Sequence, residues 1–89
     1  MIKAGIIGAA GYTGGEAIRL LINHPQVELV YAHSNSNGGN RISDVHLDLL
    51  GDTDMRFVDN AIEELPAVEV MFLCVGHGDA RKFLETNKI

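Results

Sequence analysis

Apolar and polar positions change their spacing several times along this chain, and each change marks an element. Residues 2–8 are a short apolar run, with Ile6 and Ile7 at its end, closed by Gly8, which predicts a strand; Gly5 inside it signals close approach by another part of the protein. From Thr13 onward the spacing lengthens. Ala17, Ile18, Leu20, Leu21 and Ile22 form one broad apolar helix face that continues to about His24, where Pro25 stops it. Thr13 and Glu16 stand in capping-box register, so Thr13 is expected as the N-cap and Gly14 in the first turn. Residues 27–32 read as a second strand. Ile42, Val45 and Leu49 recur at helical spacing and predict a short helix or irregular turn over 42–50, capped by Ser43 or Asp44. Residues 55–58 suit a short strand, and Asn60 with Glu63 suits the cap of a brief helix ending at Pro66. The strongest strand signal is 68–75, whose near-continuous apolar run predicts burial on both faces. Beyond Gly76-His77-Gly78, Asp79 can cap a last helix, 80–88, with Ala80, Phe83 and Leu84 on its inner side.

Strands alternating with helices predict an α/β fold with a parallel sheet and right-handed crossovers. The expected architecture is part of a Rossmann-like, doubly wound sheet of strand order 3-2-1-4, formed by residues 1–89 as one unit without repeat or linker. Ligands of such folds meet the loops beyond the carboxyl ends of the strands, here 9–13, 34–41 and 76–78.

The first of these loops lies in Gly8-Ala9-Ala10-Gly11-Tyr12-Thr13-Gly14. Its glycines let the backbone turn sharply between strand and helix, and the helix start offers unpaired N–H groups to an anion such as a diphosphate. The spacing, Gly-x-x-Gly-x-x-Gly, departs from the usual dinucleotide fingerprint, so its place between strand and helix carries the reading; the competing reading is a turn needed only for tight packing. A cofactor with a free ribose 2′-hydroxyl usually meets an acid about 20 residues further on. Ser34-Asn35-Ser36 stands there instead, with Arg41 near, and hydroxyls, amides and a guanidinium suit a 2′-phosphate. NADP is therefore favoured over NAD. His77 is the one histidine expected beside the cofactor, with no proton-transfer partner in view, while Cys74 inside an apolar strand reads as an inert thiol.

Composition narrows the picture further. The 89 residues carry twelve acidic and seven basic side chains, a net charge of −5, with the basic ones scattered; this argues against nucleic acid as a partner. Apolar content of 46% with 21% charged residues is that of an ordinary globular protein, and no apolar run approaches the roughly 20 residues of a membrane span. The opening lacks a basic and apolar leader, so a cytoplasmic location is the default. One cysteine allows no internal disulfide. His24, His33, His46 and His77 show no short metal-ligand spacing, so no metal site is expected.

Taken together, the opening from Gly8 to Gly15-Glu16, the Ser34-Asn35-Ser36 loop, Asp44-Val45-His46 and Gly76-His77-Gly78 resemble the N-terminal part of the N-acetyl-gamma-glutamyl-phosphate reductases of arginine biosynthesis. The resemblance spans all 89 residues and covers only the opening portion of such an enzyme. It implies NADPH-dependent reduction of an acyl phosphate to a semialdehyde, through a cysteine thioester, in a two-domain enzyme that forms homo-oligomers. It also implies that Gly8 to Gly14 hold the pyrophosphate, that Ser34, Asn35, Ser36 and Arg41 lie on the 2′-phosphate side, and that Gly76, His77 and Gly78 line the middle of the cofactor. The family's nucleophile lies in a Gly-Cys-Tyr-Pro-Thr type segment absent from this sequence. Cys74 matches no such motif, so these residues alone are expected to be inactive, with the last strand left as an apolar edge that invites self-association. A related semialdehyde dehydrogenase, an aminoadipyl-phosphate reductase, or a nucleotide-binding module without chemistry are the alternatives.

Overall fold

A computed structural model describes residues 1–51, 53–61 and 64–74. Strand β1 (Ile2–Ile7) leads into helix α1 (Tyr12–Ile22), strand β2 (Val27–His33), a single helical turn α2 (Ile42–Val45), a 3-10 turn (Leu47–Leu49) and strand β3 (Val70–Leu73). The sheet is parallel, with β1 between its neighbours in the order β2-β1-β3. α1 lies over β1 and β2, and the core on that side joins Ile6, Ile18 and Ala32 to Ile42, Leu49 and Phe57.

Between β1 and β2 the register skips one residue. Ala4 pairs with Leu29 but Gly5 pairs with Tyr31, leaving Val30 as an extra residue in β2. The skip sends Ala32 into the core beside Ile6 and puts the Tyr31 ring directly over Gly5, where any Cβ would overlap it. The close approach expected at Gly5 is thus an aromatic ring. Tyr31 is buried, its hydroxyl has no hydrogen-bond partner among the described residues, and burial raises its phenol pKa above 10.0.

The expected helix ends are corrected as follows. Thr13 does not cap α1: Gly11, extended at φ −78° and ψ 176°, is the N-cap, and no side chain bonds there. The glycine turn aims the chain into the helix before Thr13 is reached, so Thr13 is already helical. Glu16 pairs instead with Arg19 at 2.9 Å, and Arg19 reaches Asp48 at 2.6 Å. The helix ends at Ile22, one turn short of Pro25. At α2 the cap position is Arg41, whose backbone N–H donates to the Asp44 carboxylate at 3.1 Å, so Asp44 acts from the third helical position.

The strand expected at 55–58 makes only isolated bridges, Arg56 with Arg41 and Val58 with His33. Val58 occupies the outer flank of β2, the place foreseen for strand 3, but Met55 and Phe57 spend their backbone groups on Ile42, Gly39 and Asn40 of the loop. The order 3-2-1-4 is therefore realised as three strands plus one bridge. β3 is also less buried than its sequence suggests: Val70 and Phe72 are 40% and 37% exposed, because α1 stops over β1 and leaves an open groove between Leu20, Leu21 and Phe72. Of the brief helix foreseen after Asn60, the described part is the bond from Glu64 N–H to Ala61 O at 2.9 Å; residues 62–63, 76–78 and the last helix lie outside the described residues.

Candidate functional site

The carboxyl end of β1 passes into the glycine turn at Gly8, whose φ of 78° only a residue without Cβ adopts readily. That twist points the N–H groups of Gly8 and Ala9 at one acceptor, the His33 carbonyl at the end of β2, at 3.0 and 2.9 Å. Ala9 is fully buried, and its own carbonyl accepts from His46 Nε2 at 2.9 Å. A carbonyl cannot donate, so Nε2 carries the proton. The turn is thus held from two sides, by β2 and by the residue after α2.

Helix α1 sits close behind it. A Cβ on Gly14 would stand 2.7 Å from backbone atoms of Ala9 and closer still to the Gly8 carbonyl, and one on Gly15 would stand 2.6 Å from His46 Cε1. Glycine here brings helix, turn and imidazole into contact. Gly15 N–H starts the helical bonding, to Gly11 O at 2.9 Å. The N–H groups of Tyr12, Thr13 and Gly14 precede it and have no partner among the described residues, as the first turn of a helix requires. They form the donor cluster that the helix dipole makes attractive to an anion.

The second loop is ordered by its own amides. Asn37 Nδ2 donates to Ser34 Oγ at 3.4 Å and Ser36 Oγ at 3.2 Å, and Asn40 Nδ2 donates to Asn37 Oδ1 at 3.4 Å. Residues 56–58 back the loop: Ser34 N–H donates to Val58 O, Gly39 N–H to Phe57 O, and Phe57 N–H to Asn40 O, at 2.8 to 2.9 Å. Ser34 is buried, while Asn35, Ser36 and Arg41 are exposed. No carboxylate follows β2 before Asp44, in accord with the sequence.

The structure therefore brings Gly8 to Gly14 and Ser34 to Arg41 to one edge of the sheet, joined through His33. Gly76, His77 and Gly78 lie outside the described residues. Among the described histidines, His46 touches the glycine turn, and buried His33 bonds Asn60 O through Nε2 at 2.9 Å. Arg56 was also missed by sequence reading. Its Nη1 donates to Gly39 O at 2.8 Å, and no local pattern announces that role. For His46 the signal was present in Asp44-Val45-His46, but its partner is 37 residues away. Cys74 is half-buried and burial raises its thiol pKa, as expected of an unreactive side chain.

Comparison with known proteins bears on the family and the fold. Residues 3–87 match the family model described as semialdehyde dehydrogenase, NAD binding domain. Proteins named N-acetyl-gamma-glutamyl-phosphate reductase align over the whole chain, at 57% identity in Bacteroides thetaiotaomicron and 52% in Azobacteroides pseudotrichonymphae. The chain spans 27% of the length of each of these relatives. Among solved structures, aspartate semialdehyde dehydrogenase with NADP from Candida albicans superposes with a TM-score of 0.69 at 24% identity, over 96% of this chain and 27% of that one, a likeness of fold.

Proposed function

We propose, for a chain that belongs to the family of semialdehyde dehydrogenase NAD-binding domains, that it is the NADP-holding portion of an N-acetyl-gamma-glutamyl-phosphate reductase. The observation that carries the reading is the pairing, on one sheet edge, of an open helix start behind the glycine turn with a loop that lacks an acid. The N–H groups of Tyr12, Thr13 and Gly14 would take the cofactor diphosphate, with Gly8, Ala9, Ala10 and Gly11 allowing its approach. Ser34, Asn35, Ser36 and Arg41 would receive the adenosine ribose and its 2′-phosphate, and Gly76, His77 and Gly78 would line the path toward the nicotinamide. An acid in the second loop would repel a 2′-phosphate, so its absence supports NADP over NAD.

Bound NADPH supplies a hydride for reduction of an acyl group to a semialdehyde. The residues of this chain bind and orient the cofactor, while the acyl-phosphate site and reactive thiol belong to the further length that the relatives have. These 89 residues alone would then be inactive. A cytoplasmic location and a homo-oligomeric enzyme go with this reading; among the described residues no helix is long and apolar enough to cross a membrane.

Calorimetric titration with NADPH and NADH tests the assignment. NADPH is expected to bind the more tightly, and Arg41→Ala to weaken NADPH more than NADH. Equal losses for both would remove Arg41 from the 2′-phosphate side. No binding of either by a chain shown folded by circular dichroism would overturn the cofactor reading for these residues.

A further inference from the structure

Arg41 and Arg56 face one another across a single antiparallel bridge at the base of the 34–41 loop. The flanking hydrogen bonds run from Ile42 N–H to Met55 O at 3.0 Å and from Phe57 N–H to Asn40 O at 2.8 Å. This is the non-hydrogen-bonded kind of pair, in which opposed side chains leave the same face and stand closest. Like charges directly opposite in such a pair disfavour the fold. Both side chains are exposed, and neither arginine is in an ion pair among the described residues. Asp44 uses its carboxylate on the Arg41 backbone N–H, and the carboxylates in ion pairs among the described residues, Glu16 and Asp48, both belong to Arg19. Arg56 spends one donor on the Gly39 carbonyl, and the rest of its fork has no partner among the described residues.

We propose that Arg41 and Arg56 form one dibasic seat for a phosphate monoester, the 2′-phosphate of NADP, and that Arg56 sets selectivity for it. The proposal rests on the cofactor reading given above and extends it to a residue that lies outside the loop. A dianion between the two guanidiniums accepts charge-assisted bonds from both and removes their mutual repulsion, a gain that a 2′-hydroxyl cannot match. Arg56 also fixes the loop through Gly39, so seat and loop are built by the same side chain.

The experiment is calorimetric titration of the chain, and of its Arg56→Ala and Arg56→Lys variants, with NADPH, NADH, 2′-AMP and 5′-AMP. Arg56→Ala is expected to weaken NADPH and 2′-AMP by about tenfold or more, the worth of a charged hydrogen bond. NADH and 5′-AMP should change little, which also certifies that the variant is folded. Lysine keeps the charge without the fork and should recover part of the loss. Unchanged NADPH affinity in Arg56→Ala, or equal losses for NADPH and NADH, would overturn the seat. An unmodified chain that binds 2′-AMP through Arg56 but neither dinucleotide would keep the seat and overturn the cofactor reading; binding none of the four would overturn both.

Discussion

Replacing Gly15 by alanine tests whether the His46 imidazole holds the glycine turn as a packed and hydrogen-bonded wedge. The new Cβ would stand 2.6 Å from Cε1, 2.7 Å from Nδ1 and 3.2 Å from Nε2 of His46, so the ring must retreat toward ordinary contact. It has little freedom to do so, being 8% exposed, bonded to Ala9 O at 2.9 Å and set edge-on to Phe57. Overpacking of this kind costs about 1–3 kcal/mol, and the buried hydrogen bond adds about 1 kcal/mol when broken. Against this, alanine gains up to about 1 kcal/mol of helix propensity over glycine. Gly15→Ala should therefore destabilise by about 1–3 kcal/mol, roughly 4–24 °C in melting temperature for a domain of this size. In a His46→Ala background the wedge is gone and only the propensity gain remains, so the same substitution should stabilise. Urea denaturation of the four proteins, followed by circular dichroism, gives the coupling between the two sites, expected at about 2–4 kcal/mol. If Gly15→Ala destabilised equally in both backgrounds, the imidazole would not be what excludes a side chain at position 15.

Two other substitutions probe buried groups on the sheet. The Tyr31 hydroxyl is buried without a partner among the described residues, and a group so placed costs about 1–3 kcal/mol, so Tyr31→Phe should leave stability unchanged or raise it in the same urea assay; a clear loss would mean that the hydroxyl has a partner. Burial raises the Cys74 thiol, so its contribution to stability is complete below the ordinary value of 9.0 and is lost as pH rises through the higher folded-state value. Cys74→Ala should flatten the alkaline limb of the stability profile, and iodoacetamide should label Cys74 more slowly in the folded chain than in urea; equal labelling rates would contradict the shielding of this half-buried thiol.

The strand, glycine turn, helix and second strand were legible because each is written in neighbouring residues: an apolar run, a glycine cluster, a helical stripe, an apolar run. The two loops of the candidate site were legible for the same reason. What escaped is set by pairing at a distance. Thr13 has the side chain of a cap, but the extended Gly11 fixes where the helix begins, and that conformation follows from the turn folding against β2. Residues 55–58 do have strand character, yet their backbone partners are mainly in the 39–42 loop, a choice that local preference cannot express. Arg56 and His46 acquire their roles only when that loop closes and α2 packs beside the turn. The slipped register at Val30 is likewise invisible in the alternation of residues 27–33, although it decides which side chain covers Gly5.

The twin bonds from Gly8 and Ala9 end on a main-chain oxygen, which position 33 supplies whatever side chain it carries. The glycine turn is therefore less sensitive to the identity of residue 33 than to the number of residues leading up to it. An insertion between Tyr31 and Ser34 would carry that oxygen past the turn and loosen it. Loss of Val30 would not, since Leu29 and Tyr31 could then follow one another opposite Ala4 and Gly5 with the pairing beyond them intact. The chain thus has one position in β2 where its length can vary by a residue without moving the site, and a stretch immediately after it where it cannot.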